Sequence, residues 1–599
     1  MSRVISSKML VVAMIFIGTG LILLLRLFYI QVVDDQYKLY ANDNVLRYVT
    51  EYPARGLLFD RQGKLLAYNE PAYDLMVIPR QVKDLDTTAF CELIGLKPVV
   101  FVKRLKDARS YSPYKASVIE KNILSNPSAI IREKLFKFPG FFLQPRTLRK
   151  YPDSLAGHVL GYVGEVDDKI LARDSYYKAG DYIGVSGIEH YYETVLRGQR
   201  GLKVRMVDVH NRVVGSFENG AYDTLSVPGK NIHTTLDATL QAYGEHLMAN
   251  KMGSIVAIEP STGEILALVT APVYNPNLLV GRERTTNYNK LVMDSLKPLY
   301  NRATMANYPP GSTFKLVNAL VGLQEGVVVP STSYGCQRGF HFGGLTVGCH
   351  AHTSPLNLVQ SIQHSCNAYY CRVFKSIIDP YPTTEKGYNA WRDHVTSFGL
   401  GASLGTDMDQ DLKGLVPKAE YYDRYHGKGR WKSLSVISLA IGQGELGVTP
   451  LQMANLGATI ANRGYYYIPH IVKSVEGRES IDEKYMKPIH TTIDSSHFKW
   501  VIEGMEKVVQ AGTASRAKVE GIAICGKTGT AQNPHGEDHS IFMAFAPKDE
   551  PRIAIVVYVE NAGFGSSWAA PIATLMIEKY LKGEVSRKDL EKRMIETHP

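Results

Sequence analysis

The sequence predicts an α+β chain with a single N-terminal transmembrane helix and at least two globular domains behind it. Three observations carry this. Residues Met9 to Leu25 are uncharged and almost wholly apolar. At 599 residues the chain exceeds what one hydrophobic core normally organises. The composition also shifts near Gly229, after which strand-like runs such as Ser254-Ile255-Val256-Ala257-Ile258 alternate with stretches of helical periodicity.

After Arg26 the apolar character resumes through Ile30, which gives enough residues to cross a bilayer. Arg3 and Lys8 precede the run, and Asp34 and Asp35 follow it. The positive-inside rule then puts residues 1–8 in the cytoplasm, the anchor at 9–30 and the rest outside, on the periplasmic side of an inner membrane. A cleaved signal peptide is the rival reading, but Phe28-Tyr29-Ile30-Gln31-Val32 carries no small-residue cleavage pattern. The net charge of +10 comes from basic residues spread along the chain. That pattern indicates a basic face toward anionic lipid or wall polymer and speaks against nucleic acid as a partner.

Residues 35 to about 50 are polar and suit a short helix leading off the membrane. Arg61-Gln62-Gly63, between Leu57-Leu58-Phe59 and Leu65-Leu66-Ala67, reads as a hairpin turn. Residues 80–150 alternate amphipathic helices, such as Phe101 to Arg109 and Ile131 to Phe138, with Pro-containing breaks. The glycines of Gly157 to Gly164 and Gly184 to Gly187 suit tight turns, and Glu189 reads as a structural pairing partner. Residues 31–228 thus form one domain.

From residue 229, Ile232 to Asp237 reads as a strand, Ala238 to Met252 as a helix, and 254–269 as strand, turn, strand. Gly442-Gln443-Gly444-Glu445 with Thr449-Pro450-Leu451-Gln452-Met453-Ala454 is expected to open a helix, its glycines serving close packing. The charged residues 583–599 are expected to form a solvated tail, leaving 229–582 as the second domain.

The chemistry centres on Tyr308-Pro309-Pro310-Gly311-Ser312-Thr313-Phe314-Lys315. Prolines and glycine cannot sit inside a helix, whereas apolar residues follow Ser312 at helical spacing, so Ser312 is expected to open a helix. Lys315, three residues on, lies on the same face and can reach the Ser312 hydroxyl, making a nucleophile with an adjacent base. Ser-x-x-Lys occurs five times, beginning at Ser112, Ser175, Ser312, Ser496 and Ser515. Only Ser312 follows a Pro-Pro-Gly turn and is followed by Ser365-Cys366-Asn367 and then Lys527-Thr528-Gly529-Thr530. Ser-x-x-Lys, Ser-x-Asn and Lys-Thr-Gly in this order resemble the penicillin-binding proteins and serine β-lactamases.

The resemblance extends from about Pro53 to Leu581. Arg55-Gly56 with Asp60-Arg61-Gln62-Gly63 is similar to the opening signature of the class B penicillin-binding proteins, monofunctional transpeptidases with a non-catalytic pedestal. It implies that 31–228 is the pedestal and 229–582 a serine penicillin-recognising transpeptidase domain, an antiparallel sheet with helices on both sides. It further implies that Ser312 attacks the penultimate D-alanine carbonyl of a peptidoglycan stem peptide, that neutral Lys315 takes the proton, and that Lys527 is the nearby cation lowering its pKa. Ser365 would relay a proton and Asn367 would donate to the substrate amide. Thr528 and Thr530 would hold the terminal carboxylate, Gly529 would leave room for substrate along the strand edge, and the Ser312 and Thr530 N–H groups would form the oxyanion hole.

Four of the six cysteines cluster between Cys336 and Cys371. Cys336, Cys349, His352 and Cys366 would make a closed set for structural zinc, with His350 an alternative to His352. A Cys336 to Cys349 disulfide is the rival. The resemblance to elongation-type members, which carry zinc in this region, favours the metal, and no organic cofactor is expected.

The sequence is therefore identified as most like the penicillin-binding protein 2 group of the cell-elongation machinery. The implied ligands are stem peptides and β-lactams, and the implied partner is a membrane-embedded peptidoglycan glycosyltransferase. The alternatives are a division-specific transpeptidase, a β-lactam sensor, a silent scaffold and a β-lactamase.

Overall fold

The computed structural model describes residues 7–33, 46–207, 213–534 and 536–599. Ser7–Phe28 is an α-helix prolonged by a π-turn at Tyr29–Val33. The stretch Met9–Val32 is long and apolar enough to span a membrane, and none of it is buried against the rest of the chain. Its length and composition suit a single membrane span. The flanking Arg3, Asp34 and Asp35 lie outside the described residues, as does the expected short helix over 35–45. Its remainder is a strand: Leu46–Glu51 pairs antiparallel with Gly201–Val207. The alternation Tyr48-Val49-Thr50, rich in β-branched and aromatic residues, takes a distant partner instead of a local helix.

The hairpin forms as expected. Leu58–Phe59 and Leu65–Val77 pair antiparallel, with Asp60 Oδ1 accepting from the Gln62 and Lys64 N–H groups at 2.9 and 2.7 Å. A helix fills 98–111 as expected, whereas the second begins earlier than the expected Ile131 to Phe138, over 125–134, and ends in a 3₁₀ turn at 135–137. The strands Ser117–Leu124 and Phe141–Lys150, not expected from the sequence, flank Leu65–Val77 on either side. A separate small core closes this end, where Phe90 lies 4.2 Å from Phe141 and 5.3 Å from Phe101, ring to ring.

Glu189 does pair structurally. Its fully buried carboxylate takes Arg55 Nε and Arg149 Nε at 2.6 Å each, and this opposed charge holds its pKa below the usual range against burial. Strand Ile232–Thr234, expected in the second domain, runs parallel to Leu58–Phe59 and antiparallel to Val472–Val475. One sheet therefore stitches both domains together.

The second domain is built on a five-stranded antiparallel sheet ordered 265–271, 253–258, 553–559, 539–546, 525–531. Gly253–Ile258 and Ile553–Val559 are buried at every position, which requires cover on both faces. Helices Ala238–Leu247 and Ala569–Lys582 pack together over the sheet, and Pro450–Ala461 packs on it separately. Strand Cys525–Ala531 is the outer strand, with one open edge.

One expectation fails here. The 583–599 segment is not a solvated tail: Lys588–Glu596 is a helix whose Met594 is 1% exposed, and whose Met594 carbonyl accepts from Lys251 Nζ at 2.5 Å. Its apolar residues Leu590 and Met594 fall on one face and dock. The stretch from Gly442 to Ala454 does open a helix, after a turn. Gly442 and Gly444 have φ of 71° and 77°, a left-handed turn, and the helix starts at Pro450 under a Thr449 and Gln452 capping box.

Candidate active site

Ser312 sits in a 3₁₀ turn, Gly311–Phe314, and the α-helix begins one residue later at Lys315. The Ser312 hydroxyl thus precedes the helix. Gly311 has φ of 57°, and a Cβ there would lie 2.7 Å from the Thr530 carbonyl oxygen. Only glycine lets this turn press against the outer strand. Gly311 N–H donates to the Gly442 carbonyl at 2.8 Å, so the left-handed Gly442 turn braces it from the other side.

Lys315 is fully buried. Its Nζ donates to the Ser365 carbonyl at 2.7 Å, Ser365 Oγ at 3.2 Å and Asn367 Oδ1 at 2.5 Å. Among the described residues no hydrogen bond joins it to Ser312, contrary to the helical-spacing argument. Three acceptors on the 365–367 loop converge on the amine and occupy it. Lys527 Nζ donates to the same Ser365 Oγ at 2.8 Å and to the Thr528 carbonyl at 3.1 Å. Ser365 takes φ of 54°, an unfavoured left-handed conformation that aims its side chain between the two lysines.

Burial draws the Lys315 pKa down to about 8, against the pull of the Cys349, Cys366 and Cys371 thiols. Lys527 falls well below the ordinary lysine range, first from burial and then from the Lys315 charge.

Asn367 differs from expectation. Besides accepting from Lys315, it donates through Nδ2 to the Gly348 carbonyl at 2.7 Å, so this amide braces the loop. Gly529 also differs: a Cβ there would meet Thr313 Cγ2 at 3.2 Å and the Pro310 carbonyl at 3.3 Å. Its missing side chain makes room for the Ser312 turn.

Thr530 O accepts from Gln443 Nε2 at 3.1 Å. A strand residue's N–H and C=O share one edge, so the Thr530 N–H also faces outward, as does the peptide edge at Thr528. Thr528 Oγ1 lies 2.7 Å from Thr513 Oγ1. Ser312, Ser365, Asn367, Thr528 and Thr530 line one cleft of about 430 Å³. Thr513, Gln443, His350 and Phe564 line it too. Of these, the sequence suggests a role only for His350, as the alternative ligand to His352, because single polar or aromatic residues outside a motif carry no signal of where they fold.

Behind the Ser365 loop, the Sγ atoms of Cys336, Cys349 and Cys366 and a ring nitrogen of His352 lie within 4.8 Å of one another. All six cysteines are free thiols, so no Cys336 to Cys349 disulfide forms. The donor set fits a thiolate-loving metal on three counts. His352 Nδ1 lies 2.6 Å from the Thr353 carbonyl, which fixes the tautomer with the Nε2 lone pair toward Cys349 Sγ at 3.4 Å. The Asn367 N–H donates to Cys349 Sγ at 3.3 Å and the Tyr369 N–H to Cys366 Sγ at 3.4 Å. A hydrogen bond from Cys366 also pulls the Cys349 thiol down to about 4 and pushes Cys366 up. These four residues can hold a metal. His350 instead borders the cleft.

Residues 253–578 match the penicillin binding protein transpeptidase domain, and residues 50–234 match the penicillin-binding protein dimerisation domain. The chain belongs to the class B penicillin-binding proteins. It is an acyl-transfer serine transpeptidase of that family. Its sequence is 31% identical to the peptidoglycan D,D-transpeptidase MrdA of Acinetobacter baumannii, over 95% of this chain and 87% of that protein. The fold is similar to penicillin-binding protein 2 of Helicobacter pylori in its complex with MreC, with a TM-score of 0.74, 25% identity, and coverage of 90% and 100% of the two chains. It is also similar to a chain of a peptidoglycan synthase complex that coordinates polymerization and crosslinking, with a TM-score of 0.72, 27% identity, and coverage of 97% and 99%. Within this class B protein, the dimerisation match ends on the strand Ile232–Thr234 that stitches the two domains.

Proposed function

We propose that this chain cross-links peptidoglycan stem peptides through a Ser312 acyl-enzyme during cell elongation. The observation that carries the assignment is one hydroxyl, Ser365 Oγ, held at 2.8 Å from Lys527 and 3.2 Å from Lys315 inside the cleft that Ser312 enters. Ser312 Oγ attacks the penultimate D-alanine carbonyl, and neutral Lys315 takes its proton once substrate entry shifts the loop contacts that occupy the amine. Ser365 passes a proton between the lysines and the departing amine of the terminal D-alanine. The second stem peptide's amine then attacks the acyl-enzyme by the reverse route and restores Ser312.

The Ser312 and Thr530 N–H groups face the carbonyl oxygen as it gains charge, a pairing of donors typically worth about 3 kcal/mol each. Thr528 and Thr530 hydroxyls beside Lys527 receive the terminal carboxylate. The open edge of Cys525–Ala531 lets the substrate add as a strand, and Gln443 must leave the Thr530 carbonyl for it.

Cys336, Cys349, His352 and Cys366 would hold zinc, which would supply structural cross-linking and no reacting group. Cys366 lies between Ser365 and Asn367, so its ligation would fix the loop that presents both. The N-terminal helix anchors the chain with its catalytic domain on the periplasmic face, and strand polymerisation comes from a membrane-embedded glycosyltransferase. β-Lactams acylate the same serine.

Intact mass and peptide mapping after exposure to a labelled penicillin test this directly. One penicilloyl group on Ser312 is expected. A label on Ser112, Ser175, Ser496 or Ser515, or none on folded protein, rejects it.

A further inference from the structure

The pedestal contains a cavity of about 130 Å³, roughly ten times the 10–15 Å³ that one water needs. Consecutive residues 145–149 line it, which places it along the edge of Phe141–Lys150, a strand that among the described residues pairs only with Leu65–Val77. Five arginines converge on it: Arg55, Arg146, Arg149, Arg197 and Arg200. Neither the cleft nor the metal cluster shares a residue with it.

The charges there do not balance. Arg146 pairs with Asp74 at 2.6 Å and Arg200 with Asp181 at 2.7 Å. Arg55 and Arg149 share Glu189, and Arg55 also takes Glu193. Five guanidiniums thus meet four buried carboxylates. The excess falls on Arg197, which donates to Tyr177 Oη at 2.9 Å and lies 3.8 Å above the Tyr176 ring. Its nearest carboxylate, Asp174, is 3.9 Å away and half exposed, where water screens the attraction.

A second observation points the same way. Arg149 is 4% exposed. Its Nε and Nη1 are satisfied by Glu189 and Asn69, yet its buried Nη2 has no hydrogen-bond partner among the described residues. Buried guanidinium donors are normally paired, so one arginine lining the cavity is left incompletely satisfied.

We propose that this cavity is an anion site, separate from the active-site cleft, that takes the carboxylate of a small, partly apolar molecule such as a peptide's C-terminal residue. A single excess positive charge matches a monoanion; a phosphate dianion would carry an unpaired negative charge into a buried site. The planar guanidinium of Arg197 suits a carboxylate in bidentate fashion. Pro145, Leu148, Val163 and Val280, on the remaining wall, suit an aliphatic side chain. An occupied site would bridge Tyr52, which leads into the first hairpin, to Tyr177 and the strand edge.

The test is saturation-transfer NMR on the full chain in detergent, with N-acetyl-L-alanine, N-acetyl-L-alaninamide and inorganic phosphate as probes. The carboxylate is expected to bind saturably, and the neutral amide and phosphate to bind about tenfold more weakly or worse. Arg197→Gln should lose the carboxylate signal at an unchanged melting temperature, and Arg197→Lys should keep part of it. Equal binding of acid and amide, tighter binding of phosphate, no saturable binding, or full retention by Arg197→Gln overturns the proposal. None of these readouts depends on acylation of Ser312, so this site and the transpeptidase reading stand or fall separately.

Discussion

Lys527 Nζ donates to Ser365 Oγ at 2.8 Å, across 162 residues of sequence. Lys315 reaches the same oxygen from the opposite motif, so a single hydroxyl joins the elements that Ser-x-x-Lys and Lys-Thr-Gly mark. Two buried amines so near each other cannot both be charged cheaply, and the Lys315 charge adds to burial in lowering the Lys527 pKa.

The pH dependence of acylation follows. The proposed base is neutral Lys315, whose pKa is drawn down to about 8 by burial. A lysine is charged below its pKa, so the acylation rate should fall about tenfold per pH unit below that point and level off above it. Stopped-flow acylation by a chromogenic β-lactam measures the profile. A flat rate across that pH range would show that Lys315 is not the base.

Metal removal should act through the loop and not through Ser312. Purified protein is expected to contain about one zinc per chain. Cys349→Ser or His352→Ala should lower that content and slow acylation by about 10- to 100-fold, the usual cost of disturbing such a site. Elemental analysis and thiol counting decide the matter: fully active protein free of metal would refute the clamp.

Glu189→Gln should be a stability variant. It leaves Arg55 and Arg149 facing each other without their shared counter-ion, and breaking a buried pair costs about 3–5 kcal/mol. Urea unfolding should show that loss, while the folded fraction still acylates at the parent rate. An unchanged unfolding midpoint would mean that other groups in the pedestal absorb both charges.

Met594→Ala separates a docked C-terminal helix from a solvated tail. A 1% exposed methionine truncated to alanine costs about 2–5 kcal/mol, whereas a residue in a solvated tail costs nothing measurable. Thermal unfolding of the two proteins side by side gives the answer.

What could be read from the residues alone was whatever depends on nearby chain. The apolar run 9–30, the hairpin at Arg61-Gln62-Gly63 and the order of three short motifs each declare themselves within a few residues, because solvent preference, turn geometry and reacting groups are local properties. The cysteines and histidines were legible only as candidates, since their spacing leaves both a metal and a Cys336 to Cys349 disulfide open and the choice of metal rests on the family resemblance. The tertiary structure alone decided which partners win when several are available. Lys315 turns to Ser365 and Asn367 instead of Ser312. Gly529 yields space to Thr313, strand 232–234 joins the pedestal sheet, and Met594 leaves solvent for the core. Each outcome is set by contacts between residues far apart in sequence. Their energies exist only once the chain has closed, so no window of sequence contains them.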